Sequence, residues 1–95
     1  MAEQYYIVRS YKAGVFFGMI RERRGDEVEM TDVRKIWYWS GAAAVEQMAM
    51  EGVKNPGACK FTVSVPEMII MEAVQIIPCT DEAVQSIRSV PPWKI

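Results

Sequence analysis

Apolar and polar residues change along this chain in short blocks, and most of the blocks carry the period of two that marks strands. Residues 5–10 are rich in aromatic and β-branched side chains, which predicts a first strand, and Lys12-Ala13-Gly14 supplies the turn after it. Over residues 15–23, Val15, Phe17 and Met19 share one face while Phe16, Gly18 and Ile20 share the other. Both faces begin apolar, so this strand is expected to be buried on two sides at its start and solvated towards its end. Arg24-Gly25-Asp26 reads as a tight hairpin, with Gly supplying the positive φ. Residues 27–30 return with Val28 and Met30 inward, Thr31-Asp32 predicts another turn, and residues 33–39 predict a further strand.

The period then changes. Ser40 is a candidate N-cap for a helix over residues 41–51, with Ala42, Val45, Met48 and Ala49 on one face and Gly52 at its end. Lys54-Asn55-Pro56-Gly57 is a loop. Residues 60–65 predict a strand, Pro66 interrupts the pattern, and residues 68–77 predict a longer strand that is apolar on both faces apart from Glu72 and Gln75. Thr80 caps a last helix with Asp81 and Glu82 in its first turn and Ala83, Val84 and Ile87 as its inner stripe. Pro91-Pro92 ends it and leaves Trp93-Lys94-Ile95 as a tail that folds back over the rim of a barrel or docks on a neighbouring subunit.

These elements predict an α+β fold, a small, strongly bent antiparallel β-sheet or partial barrel of about five or six strands with two short helices, in a single domain over residues 1–95. Composition changes the picture in three respects. At 51% hydrophobic, with seven Met and three Trp, the chain carries more apolar side chains than one small core holds, so a homo-oligomer is expected. A net charge of −1 gives no field for general nucleic-acid binding or an anionic membrane surface. With no membrane-length apolar run, no basic and apolar N-terminal leader, and Cys59 and Cys79 outside any CxxC spacing, a cytoplasmic protein with two reduced thiols is expected.

Candidate chemistry is sparse. The chain has no His, which excludes a His-based triad, and two separated Cys cannot build a zinc site. Glu67 and Glu72 fall on opposite faces of a regular strand, which predicts a solvated Glu67 and a Glu72 paired with an Arg. Gly14-x-x-x-Gly18 lacks the Lys and Ser or Thr of a phosphate loop. Non-catalytic binding without metal or cofactor is therefore expected.

The segment with most to offer is Arg34-Lys35-Ile36-Trp37-Tyr38-Trp39, followed by Ser40-Gly41-Ala42-Ala43. On a regular strand Trp37 and Trp39 face one way with Lys35, and Tyr38 faces the other way with Arg34. Either all three rings pack, or one set faces a helix, a partner subunit or a ligand. A cation beside an aromatic ring suits a nucleotide, the ring stacking a base and the cation meeting phosphate. Arg9 and Lys12 extend such a site, so the candidate ligand residues are Arg9, Lys12, Arg34, Lys35, Trp37, Tyr38 and Trp39. Within this set Arg34 is expected to matter more for binding than for folding.

Nearly the whole chain resembles a family of small proteins of tailed bacteriophages and prophages. The resemblance is carried by Val8-Arg9, Ala13-Gly14-Val15-Phe16, Gly18, the run Arg34-x-x-Trp37-Tyr38-Trp39-x-Gly41-Ala42-Ala43, Val65-Pro66-Glu67, Ile76-Ile77-Pro78, Thr80, Ala83, Val90-Pro91 and Trp93-Lys94. It implies a phage origin and a site of action in the host cytoplasm, and it transfers no catalytic residue. In size and aromatic content the chain is also similar to small phage proteins that oligomerise and trap nucleotide messengers of bacterial antiviral signalling. That likeness implies an anti-defence role, the sequestration of a cyclic or other small nucleotide. The alternatives are an inhibitor or adaptor that engages a host protein through exposed aromatics, and a minor virion component. A deep cation-lined cavity favours the small ligand, and a flat aromatic patch favours the protein partner.

Overall fold

The computed structural model describes residues 3–95. Six strands form one antiparallel sheet: β1 (Tyr6–Ser10), β2 (Gly14–Arg24), β3 (Glu27–Tyr38), β4 (Lys60–Phe61), β5 (Val65–Ile70) and β6 (Ala73–Pro78). Two short helices, α1 (Val45–Glu51) and α2 (Asp81–Arg88), complete an α+β fold. The order is β4-β3-β2-β1-β6, and β5 pairs with the first half of β3 on the same edge that β4 meets near its end.

The two-sided burial expected of β2 explains how so small a chain builds its core. Phe17 faces the helices in a cluster with Tyr5, Ile7, Ile36, Met48, Phe61, Ala83 and Ile87. Phe16 faces the other way, into a cluster with Val8, Val28, Met30, Val33 and Ile70. The sheet thus separates two apolar layers, and each fully buried aliphatic or aromatic side chain in them stabilises the fold by about 1.5–3 kcal/mol.

Four expected boundaries move. Thr31-Asp32 is not a turn, because β3 runs unbroken through it. Between Phe17 and Met19, two steps along β2 face three along β3, and Asp32 sits in this bulge at φ 46°. Asp is one of the few residues that tolerate that conformation, so the turn signal was genuine, but pairing with β2 and β5 on both flanks carries the ladder across it. Gly18 faces the bulge, where an added Cβ would come within 2.9 Å of the Val33 Cα.

The expected strand over residues 68–77 divides at Met71 and Glu72, with Glu72 at φ 56°. Its halves belong to different places in the sheet, β5 on β3 and β6 on β1. Backbone bonds hold the corner, with Tyr11 N–H donating to Glu72 O at 3.0 Å and Ala73 N–H donating to Asp26 O at 2.8 Å. The strand expected over residues 60–65 is interrupted after Phe61, and pairing resumes at Val65. It then passes through Pro66, as an outer strand permits. Finally, α1 begins at Val45, and Ser40 does not cap it. Ser40 Oγ instead accepts from Asn55 Nδ2 at 3.2 Å.

The second helix follows its sequence closely. Thr80 Oγ1 accepts from Ala83 N–H at 3.1 Å, and Ala83 and Ile87 are buried. Cys59 and Cys79 are buried free thiols. No helix among the described residues is long and apolar enough to cross a membrane.

Candidate functional site

Two stacked indoles lie on the surface where β3 ends. Between Ile36 and Tyr38 two residues of β3 face one step along β4, so strict alternation fails there. As a result Trp37 and Tyr38 are both exposed, at 58% and 52%, rather than divided between core and surface. The tail supplies the second ring. Pro91-Pro92 stiffens it, Trp93 N–H donates to Phe61 O at 2.8 Å, and the Trp93 indole stacks on Trp37 with centroids 5.9 Å apart and planes 19° apart.

Two ammonium groups attend this pair. Lys35 Nζ lies 5.2 Å from the Trp37 ring centroid, and Lys60 Nζ lies 5.5 Å from that of Trp93. Lys35 therefore keeps the company the sequence assigned it. Trp93 and Lys60 were not among the expected site residues. The signal for Trp93 was the stiff diproline before it, which directs the tail back along the sheet, whereas Lys60 carried no signal of its own.

Arg34 is where the sequence reading fails. It is buried, with its guanidinium turned into the helix-facing layer, and every one of its nitrogens donates to a backbone carbonyl. Nε reaches Thr62 O at 2.9 Å, Nη1 reaches Ile87 O at 3.3 Å and Val90 O at 3.0 Å, and Nη2 reaches Phe61 O at 3.3 Å. Burial pushes its pKa down from the ordinary value, and the Asp32 carboxylate opposes that shift. A cation tied to carbonyls at the end of β4 and around the end of α2 is a structural clamp, which sets Arg34 apart from the other expected ligand residues.

Arg9 and Trp39 meet elsewhere. Together with Val15, Ala43, Ala44, Val45, Glu46 and Gln75 they line an open groove of about 400 Å³ beside α1. Trp39 is half-buried against the helix-facing layer, and its Nε1 donates to Ala42 O at 3.2 Å. The turn that permits this has Gly41 at φ 94°, packed so closely on the backbone of Lys54 and Asn55 that no side chain fits. Arg9 Nε donates to Gln75 Oε1 at 3.1 Å, and Gln75 Nε2 donates to Glu46 Oε2 at 3.0 Å, which lowers the Glu46 pKa. Lys12 is exposed in the turn after β1. The seven expected residues thus divide between a surface aromatic patch, a groove beside α1, a turn and the core.

The carboxylates pair differently from expectation. Glu67, not Glu72, meets an Arg: Arg21 Nη2 lies 2.5 Å from Glu67 Oε1 and 3.6 Å from Glu29 Oε1. Arg24 bridges Glu22, Glu27 and Glu29 on the β2–β3 hairpin. Among the described residues no group of three or more His, Cys, Asp or Glu side chains is placed to hold a metal ion.

The family described as "Domain of unknown function (DUF6948)" matches residues 3–87. The chain belongs to this family. The match takes in β1 to β6 and most of α2, and with them Lys35, Trp37 and Lys60, while Trp93 lies beyond it. No curated protein and no solved structure matches the chain significantly.

Proposed function

We propose that this member of the family is a non-catalytic binding protein that docks on a partner protein through the face formed by Trp37, Tyr38 and Trp93. The observation that carries the reading is the exposed Trp37–Trp93 stack with Lys35 and Lys60 beside it. Large rings left in water cost free energy, and stacked rings on a firm strand need little further ordering when a partner covers them. Trp and Tyr are also the residues in which interface energy concentrates. The three rings lie about half-exposed on the surface, which favours a macromolecular partner over an enclosed small ligand. Its lysines match a partner whose apolar pocket is rimmed by carboxylates. In the setting the phage resemblance implies, the partner is a host protein and the outcome is its inhibition or redirection.

A second reading keeps the nucleotide. It rests on the Arg9–Trp39 groove, where an indole and a guanidinium share about 400 Å³. There a base would stack on Trp39 and a phosphate would meet Arg9, giving sequestration without chemistry.

One experiment separates the two. The tagged full-length protein, its Trp93→Ala variant and its Arg9→Gln variant are each incubated with bacterial lysate, and the bound protein and small-molecule fractions are quantified by mass spectrometry. The favoured reading predicts a protein retained by the wild type and by Arg9→Gln and lost from Trp93→Ala. A nucleotide lost only from Arg9→Gln would replace it with the second reading.

A further inference from the structure

On the helix-bearing face, Asp32, Arg34, Ser64 and Arg88 line a cleft of about 180 Å³ with the edge of the buried Phe17 ring at its floor. Hydrogen bonds fix its polar groups. Asp32 Oδ2 accepts from the Tyr5 hydroxyl, and Oδ1 accepts from Ser64 Oγ at 2.7 Å. The same Tyr5 oxygen accepts from Arg88 Nη1 at 2.9 Å, and the Arg88 guanidinium lies 5.3 Å from the Tyr5 ring centroid. Tyr5 is held in turn by stacking on Phe17, with centroids 5.0 Å apart. The strained bulge residue Asp32 is thus part of a rigid frame that aims Arg88.

Within the cleft's own lining the charges do not balance, while Glu3 and Asp81 share the neighbouring groove with Arg88. Two guanidiniums and one carboxylate line the cleft. Among the described residues ion pairs engage Arg21 and Arg24 and neither Arg34 nor Arg88. Arg34 is satisfied by carbonyls, which are dipoles and carry no net charge. Arg88 makes one hydrogen bond, through Nη1, so its Nε and Nη2 donors have no partner among the described residues. A planar fork of donors beside an excess positive charge suits a carboxylate, which can accept two parallel hydrogen bonds.

We propose that this cleft binds the carboxylate of a small organic acid, with Arg88 as the anchoring residue and Phe17 against its alkyl part. A single negative charge matches the one-charge excess of the lining, whereas a phosphate dianion would exceed it. The volume, equal to that of about six liquid waters, admits an acid of a few carbons. The inference is independent of the aromatic patch and survives if the docking reading fails.

The test is an NMR titration of the full chain that follows the Arg88 Nε–H resonance as sodium acetate, sodium phosphate or a blocked aspartate replaces sodium chloride at constant ionic strength. Acetate is expected to give a saturable shift of Arg88. Arg88→Gln should weaken binding, followed at the Ser64 amide, by at least ten-fold, and Arg88→Lys, which keeps the charge but not the fork, should bind with intermediate affinity. Arg23→Gln on the exposed hairpin should bind as the wild type does. Arg88 is exposed, so its variants are expected to fold. Shifts no greater than those from chloride, or undiminished binding by Arg88→Gln, would overturn the site. Tighter binding of phosphate would overturn the carboxylate assignment, and tighter binding of blocked aspartate would overturn the free acid.

Discussion

Trp93 lies against Trp37, so the C-terminal tail and the end of β3 share one aromatic surface. The contact is made by half-exposed rings, and an aromatic pair of this kind contributes about 0.5–1.5 kcal/mol beyond area burial. Trp93→Ala is therefore expected to lower stability by only about 1–2 kcal/mol. Denaturant unfolding checks this, and a loss much larger than that would place Trp93 in the folding core rather than on a docking surface.

Arg34 should behave in the opposite way. Arg34→Ala would remove the Arg34 donor from the carbonyls of Phe61, Thr62, Ile87 and Val90, of which Phe61 O keeps Trp93 N–H and Ile87 O keeps Val90 N–H. The expected cost is about 3 kcal/mol or more, because a buried acceptor deprived of its partner loses its full solvation. Arg34→Lys should recover little, since one ammonium cannot span the four carbonyls that the planar fork reaches. Equilibrium unfolding of both variants is the measurement, and near-wild-type stability would show the clamp to be incidental.

The difference between these two residues shows what the sequence could reveal. Alternation placed β1 and β2, Gly marked the turns on either side of β2, and Thr80 marked α2, because in those segments local pattern and tertiary pairing agree. Alternation misplaced Arg34, Tyr38 and the division after Ile70 because a bulge at Trp37, a bulge at Asp32 and the left-handed Glu72 arise from pairing between distant strands. A cation three residues before an aromatic run has the same appearance in a sequence whether it is solvated or bound to carbonyls at the end of β4 and around the end of α2. Trp93 was readable as a docked tail, but its landing point on Trp37 depends on the path of β4, which is only two residues long.

Asp32 and Tyr5 give the fold opposite pH limits. Hydroxyl bonds from Ser64 and Tyr5 hold the Asp32 carboxyl below its ordinary value of 3.8, so its stabilisation is present above that value and is lost as pH falls through the lowered one. Burial, with the Asp32 bond next, pushes the Tyr5 phenol from 10.0 up to about 12. Its contribution is complete below pH 10 and is lost as pH rises through about 12. Unfolding followed against pH should show both limbs. Asp32→Asn should flatten the acid limb, and Tyr5→Phe should flatten the alkaline one; unchanged slopes would contradict the bonding described.

The thiols should be silent in the native protein. Cys79 is buried and its pKa is raised to about 12, so almost none of it is thiolate at neutral pH. Cys59 is buried as well, with Sγ near Ser40 O at 3.6 Å and Asn55 O at 3.4 Å. A thiol reagent followed by intact mass should label neither until denaturant is added. Rapid labelling of Cys79 at pH 7 would mean that the layer beneath α2 opens in the native state.

The claim that the Trp37–Trp93 surface is a docking face is tested most directly by calorimetry of the captured partner against wild-type, Trp37→Ala and Tyr11→Ala proteins. Tyr11 is 77% exposed in the turn after β1 and serves as the control. The account predicts that Trp37→Ala weakens binding by roughly thirty-fold or more, the loss of about 2 kcal/mol expected of a central interface ring, while Tyr11→Ala binds unchanged. Equal affinity for Trp37→Ala and wild type, or no partner whose capture depends on Trp37 or Trp93, would contradict it.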